Sequence, residues 1–246
     1  MSTMISYASS QLIRSHLFVL TVKSTSRFLV DEQLFKIRNQ LNALLPFSNC
    51  LVYDKGIVAI INKNADFPFN RETEAQLLSL LKEWGLCCGL SQSSTSMLDT
   101  ARLYKQSLQA IKLGLLVQSG CYIYNYTQFA LYDFFDSCLQ HENIDSYYHP
   151  SIAILKEYDA KHHNNTLLNT LHNYIHNNNN QMDTAKQMYI HRSTLLYRLN
   201  KIVELTCIDL DNPDTIFHLQ LSFKLLEYEK HFSSLPKEVT NNRPVT

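Results

Sequence analysis

The sequence predicts an α+β chain in two parts, a mixed-sheet α/β domain followed by an all-helical one. Three observations predict it. Short β-branched and aromatic runs alternate with helical patterns from about residue 15 to 140. From about residue 142 the strand-like runs stop and only helical patterns remain. The 246 residues, 45% hydrophobic, suffice for one large domain or two small ones with a sizeable core.

Each element has its own signal. Phe18, Val19, Leu20, Thr21 and Val22 read as a strand. Residues 31–45 place Leu34, Ile37, Leu41, Leu44 and Leu45 at helical spacing, with Asp31 as N-cap. Residues 50–53 and 57–61 are apolar runs parted by Asp54-Lys55-Gly56, a hairpin signal. Leu77, Leu78, Leu81 and Trp84 share one side of a helix over 71–84, and residues 86–90 form another strand. Ser96 to Asp99 has the form of a capping box. The helix behind it spaces Met97, Ala101, Tyr104, Leu108, Ile111 and Leu115 by alternating fours and threes. A strand at 121–124 and a helix at 127–139 complete the order β-α-β-β-α-β-α-β-α.

Helices follow at 149–161 and 166–176. Asn177 to Asn180 make a polar break. Asp211-Asn212-Pro213-Asp214 starts a last helix that runs to about 230, with Ile216, Leu219, Phe223 and Leu226 inward. The expected division is an N-terminal segment 1–14, an α/β domain 15–140, a helical linker 141–165, a helical domain 166–232 and a flexible tail 233–246.

Composition excludes several functions. Lys+Arg and Asp+Glu are both 22, so the chain is neutral overall. A protein that coats nucleic acid indiscriminately is basic. Only a local patch is available here, and residues 184–203 supply it with Lys186, Arg192, Arg198, Lys201 and no acid. Five glycines argue against a glycine-rich phosphate loop. The six cysteines (Cys50, Cys87, Cys88, Cys121, Cys138, Cys207) form no C-x-x-C pair and are expected as buried reduced thiols. No signal-peptide core and no run of about 18 apolar residues is present, so a cytoplasmic, membrane-free protein is expected. His162-His163 lacks metal-ligand spacing, and Ser91, Ser93 and Ser94 lack nucleophile-elbow glycines. No catalytic residue, metal site or cofactor is expected.

Residues 182–205 carry the chemistry. Two short helical patterns meet at a tight turn. Ala185 is small where two helices must cross. Met188, Ile190, Leu195, Leu199 and Ile202 form an apolar seam, with Ile190 as a plug in the turn. Arg192, Ser193, Thr194, Tyr197, Arg198 and Lys201 lie largely off it. A helix-turn-helix puts the N-terminal side chains of its second helix against base edges and flanking ones against phosphates. Arg192 is the candidate for guanine readout. Thr194 and Tyr197 suit a thymine methyl or a phosphate, and Lys186 and Lys201 suit phosphates.

The run from Leu167-Leu168-Asn169-Thr170-Leu171 through Thr184-Ala185, Ile190-His191-Arg192-Ser193-Thr194-Leu195-Leu196-Tyr197-Arg198-Leu199 and Pro213 to Lys224-Leu225 resembles the C-terminal domain of PucR/CdaR-type bacterial transcriptional regulators. The resemblance implies a wingless, Fis-like helix-turn-helix. It also implies that His191, Arg192, Ser193, Thr194 and their neighbours face double-stranded DNA. Tyr189 stands where the inter-helix turn of such motifs has glycine. Regulators of this type carry a degenerate GGDEF-like domain just upstream, which the α/β half matches in strand–helix order. No GGDEF string is present, and Asp54 has no carboxylate partner of the kind a nucleotidyl cyclase needs for metal ions. The expectation is a non-enzymatic, sequence-specific DNA-binding regulator acting as a homodimer or higher oligomer. The α/β half would serve dimerisation or signal coupling. A nucleotide-metabolising enzyme and a non-catalytic protein-interaction module are the competing readings. A small-molecule effector or an upstream sensory domain is the expected source of signal. The chain is then either a fragment or receives its signal through the α/β domain or a partner.

Overall fold

The computed structural model describes residues 16–25, 29–45, 48–63, 71–118, 120–138, 143–163 and 166–232. The expected segment 1–14 and tail 233–246 lie outside them. The chain falls into two compact units, Met1–Phe134 and Phe135–Thr246.

The first unit holds β1 (His16–Ser24), α1 (Asp31–Leu44), β2 (Ser48–Tyr53), β3 (Gly56–Lys63), α2 (Arg71–Trp84), β4 (Leu86–Leu90), α3 (Thr100–Val117) and β5 (Ile123–Asn125). α4 (Tyr126–Cys138) begins here and ends in the second unit. The strands lie in the order β2-β3-β1-β4-β5, antiparallel except for the β4–β5 pair. The first six elements make an antiparallel split βαβ sheet, and β5, parallel to β4, makes it the mixed sheet expected. β1 is central, with Leu20 opposite both Ala59 and Leu90. Its faces go to different layers. Leu20 and Val22 pack with Leu34, Ile37 and Leu41 of α1 and with Leu77 and Leu81 of α2. Leu17 and Val19 pack with Val58 and Leu103 on the other side. A strand covered on both faces reads as a near-continuous apolar run, as 17–22 does apart from Thr21.

The β2–β3 hairpin closes on Asp54 and Lys55, both at positive φ, 47° and 56°. A two-residue loop of that kind matches the strand twist. Gly56 is not a turn residue. It opens β3, opposite Tyr53. Asp31 is the first helical residue of α1 and not its cap. Val30 takes that place, and its N–H donates to Gln33 Oε1 at 3.2 Å.

α3 corrects the expected face. Its buried residues are Leu103, Ser107, Ala110, Ile111, Leu113 and Gly114. Met97 precedes the helix in a 3-10 turn and is 61% exposed, and Leu115 is exposed as well. The reason is a seam of small residues. A Cβ on Gly89 of β4 would collide with the Ser107 carbonyl, and one on Gly114 would collide with the Tyr124 ring. α3 sits closer to the sheet than a leucine-lined face allows. Ser107 Oγ and Thr21 Oγ1, both buried, satisfy each other at 2.5 Å.

The second unit is helical: α5 (Pro150–Lys161), α6 (Thr166–His176), α7 (Gln181–Gln187), α8 (Arg192–Thr206) and α9 (Pro213–Phe232). Their core gathers Ile152, Leu155, Leu167, Leu171, Leu195, Leu199, Ile202, Leu219 and Phe223. α5 falls in the segment expected as a linker, yet Ile152 and Leu155 are buried in this core. Its Asp159 is 1% exposed and accepts the N–H groups of Leu167 and Leu168, at 3.1 and 3.0 Å. Thus α5 caps the helix that follows it. Phe135 meets Tyr228 edge to face, with centroids 5.7 Å apart, which ties the end of α4 to α9.

The expectation of buried cysteines holds for part of the set. Cys87 and Cys88 are buried and Cys50 partly so, while Cys121, Cys138 and Cys207 are exposed. Cys138 ends α4, Cys207 follows the last residue of a later helix as its C-cap, and Cys121 lies in the loop before β5. All six are free thiols. Among the described residues no helix is long and apolar enough to cross a membrane.

Candidate nucleic-acid interface

α7 has seven residues, too few to hold itself in water. Turn chemistry at both ends holds it. Asn180 Oδ1 accepts the N–H groups of Met182 and Asp183, at 2.9 and 3.2 Å. At the far end Tyr189 is left-handed, φ 55°. Its N–H donates to Lys186 O at 3.2 Å, and the Ile190 N–H to Ala185 O at 3.0 Å. This is a Schellman closure, with tyrosine where glycine is usual. The α6–α7 join repeats the pattern. Asn178 (φ 52°) donates to Ile175 O and Asn179 (φ 62°) to Tyr174 O. The four asparagines expected as a polar break are a structured connector, with Asn180 as cap. Asparagine suits it because it tolerates the left-handed region better than most residues.

The seam is as expected. Ala185, Leu195, Leu199 and Ile202 are buried, and Met188 and Ile190 pack partly buried against them. Removing one such leucine typically costs about 2–5 kcal/mol, so this packing sets how α8 is presented. Opposite the seam, Ser193, Tyr197 and Asn200 follow one another at i, i+4 and i+7, all exposed. Tyr197 is 70% exposed. Asn200 was missed by composition-led reading. Its signal is the i+7 spacing from Ser193, and asparagine pairs with adenine.

The other candidates separate by environment. His191 is the N-cap of α8 and exposed, and its side chain makes no capping bond. Arg192, Thr194 and Lys186 are also exposed, and Arg198 is half-buried. The first turn of α8 thus presents polar side chains beside backbone N–H groups that attract anions. Arg192 bonds back to α7, with Nε and Nη2 on Gln181 Oε1 at 3.2 and 2.9 Å. Lys201 is less available than the acid-free stretch suggests. Glu204, one residue beyond that stretch, takes its ammonium at 2.9 Å and raises its pKa.

In the α/β unit the Asp54 carboxylate lies 2.8 Å from Lys23 Nζ, which lowers its pKa. Among the described residues no three His, Cys, Asp or Glu side chains gather as a metal site.

Residues 167–225 match the PucR C-terminal helix-turn-helix domain. The chain is 30% identical over 140 residues to the proline-responsive transcriptional activator PutR of Bacillus subtilis, covering 56% of this chain and 34% of that protein. It is 29% identical over 195 residues to the carbohydrate diacid regulator of Escherichia coli, 77% of this chain and 49% of that protein. It is 24% identical over 215 residues to the purine catabolism regulatory protein of Bacillus subtilis, 83% of this chain and 40% of that protein. The chain spans half or less of the length of these relatives. Residues 167–225 are a PucR C-terminal helix-turn-helix domain, in a chain whose similarity to regulators of the PucR/CdaR type extends beyond that domain.

Proposed function

We propose that the chain is a sequence-specific DNA-binding transcriptional regulator that inserts α8 into the major groove. The observation that carries this is the two-sided character of α8. Leu195, Leu199 and Ile202 are buried, and Arg192, Ser193, Thr194 and Tyr197 are exposed at its start and outer face. His191, Lys186 and Arg198 flank them as phosphate contacts, Lys201 contributes less, and Asn200 joins the reading face. One such patch gives modest affinity, because phosphate contacts supply much of it. Two copies on a half-site pair supply the rest, so a homodimer or higher oligomer is the working form. The α/β unit, GGDEF-like in this reading, serves dimerisation or signal coupling and not catalysis. The Asp54–Lys23 pair supports that, since the carboxylate already has a cation. A cytoplasmic protein whose signal is an effector or an upstream domain completes the proposal.

The test is a mobility shift of the intact chain on the DNA upstream of its own coding region. A shift that weakens steeply with salt, and is lost on Arg192→Ala with Arg198→Ala, is expected. No shift at low salt overturns the proposal. Binding to another protein without salt-steep DNA binding favours the interaction-module reading instead.

A further inference from the structure

Gln181 is the first residue of α7, outside the recognition helix. It is half-buried, and its Oε1 accepts two N–H groups from Arg192, the first residue of α8. The two residues are eleven positions apart and on different helices. A free arginine side chain has many rotamers to lose before it can meet a base. This one is held by two bonds on a single edge.

The chemistry of that edge matters. Arginine has five N–H donors in a planar fork and no acceptor. Gln181 takes one from Nε and one from Nη2. One N–H of Nη1 and the second of Nη2 stay available on the outer edge, and the other Nη1 N–H points to the Cδ side. That edge presents two parallel donors, which is what guanine O6 and N7 accept. The Gln181 Nε2 amide is a donor as well, suited to a phosphate oxygen beside the same base.

We propose that Gln181 is a specificity-determining residue that positions Arg192 for guanine from the neighbouring helix. It does so through the bifurcated bond to Oε1, while its own amide N–H meets the backbone phosphate. The proposal rests on the reading of α8 as the DNA-reading helix. Gln181 adds discrimination and does not itself read a base.

The test uses the full chain and a pool of duplexes with randomised sequence, read as base enrichment, with affinity for one unselected duplex measured alongside. The wild type enriches guanine at one position of each half-site. Arg192→Ala erases that enrichment. Gln181→Met, similar in length but unable to accept, lowers it by roughly fivefold. Its effect vanishes in the Arg192→Ala background, because both substitutions remove one device. Gln181→Glu keeps the acceptor, so it keeps the guanine preference while overall affinity falls through charge repulsion. Full guanine preference in Gln181→Met overturns the proposal. So does an equal loss in Gln181→Met and Gln181→Glu, which points to α7 distortion rather than positioning. An unselective wild type is a different failure, since it removes the DNA-reading role of α8 itself.

Discussion

The Asp159 carboxylate accepts the backbone N–H of Leu167 at 3.1 Å, across the join from α5 to α6. It takes the next one, from Leu168, at 3.0 Å. Both N–H groups belong to the first turn of α6, where no intrahelical acceptor exists. The carboxylate also faces the positive end of the helix dipole. Asp159→Ala leaves these donors without the carboxylate. The expected cost is about 1–3 kcal/mol, read as a lower urea midpoint with little change in slope. Asp159→Asn retains one acceptor oxygen and loses less.

Tyr189 supplies the opposite kind of variant. It is 95% exposed and left-handed, so its ring adds little packing while its backbone is strained. Tyr189→Gly relieves about 1 kcal/mol of left-handed cost, part of which returns as chain entropy in the unfolded state. A small rise in melting temperature is expected. Tyr189→Val, β-branched in that region, lowers it.

Glu204 opposes DNA binding in the proposed pose. It neutralises Lys201 and adds a negative charge on the outer face of α8. Glu204→Gln frees the ammonium. Binding tightens by roughly threefold at low salt, and the salt slope steepens by about one phosphate contact. Titration of a labelled duplex at several salt concentrations measures both. Lys201→Ala alone has the smallest effect among the four cations of the patch.

His149 makes the helical unit sensitive to mild acid. Its Nδ1 accepts the Ser151 N–H at 3.2 Å as the cap of α5, which requires a neutral ring. Burial lowers its pKa, and His218, 5.0 Å away ring to ring, lowers it further. The unfolded chain therefore holds this proton more readily than the folded one. Its contribution to stability is present above the ordinary value of about 6.5 and is lost as pH falls through the lower folded value. Urea midpoints should fall between about pH 7.5 and about pH 5, and fall less in His149→Asn, which keeps a capping acceptor without a titrating ring.

The helical unit was the more legible half. Asn212 caps α9 through Asp214 and Thr215, as the Asn-Pro-Asp signal implies. The Leu195, Leu199 and Ile202 seam follows from period alone. Small residues defeated the same reasoning in α3. Ser107, Ala110 and Gly114 carry no hydrophobic signal, yet they set the buried face by letting two backbones approach. A pattern weighted toward large apolar side chains selects Met97 and Leu115 instead. Pairings at a distance were equally hidden. Gln181 and Glu204 lie at or beyond the borders of the basic stretch, and nothing local shows that they engage Arg192 and Lys201. Both sites of correction depend on which residue folds back onto which, and a linear spacing does not encode that.

The two joins flanking α7 share a count as well as a bond pattern. From the first left-handed residue to the next cap is two positions in each, Asn178 to Asn180 and Tyr189 to His191. They differ in the middle, where Asn179 is left-handed and Ile190 is not, and at the cap, where the Asn180 side chain bonds the helix and the His191 side chain does not. Neither join has a residue to spare. α6, α7 and α8 are therefore one block without an internal joint. In the proposed regulator, a switching signal has to carry that block toward or away from DNA as a piece. In that proposal the angle at which α8 meets the groove is inherited from the connectors and is not what regulation adjusts.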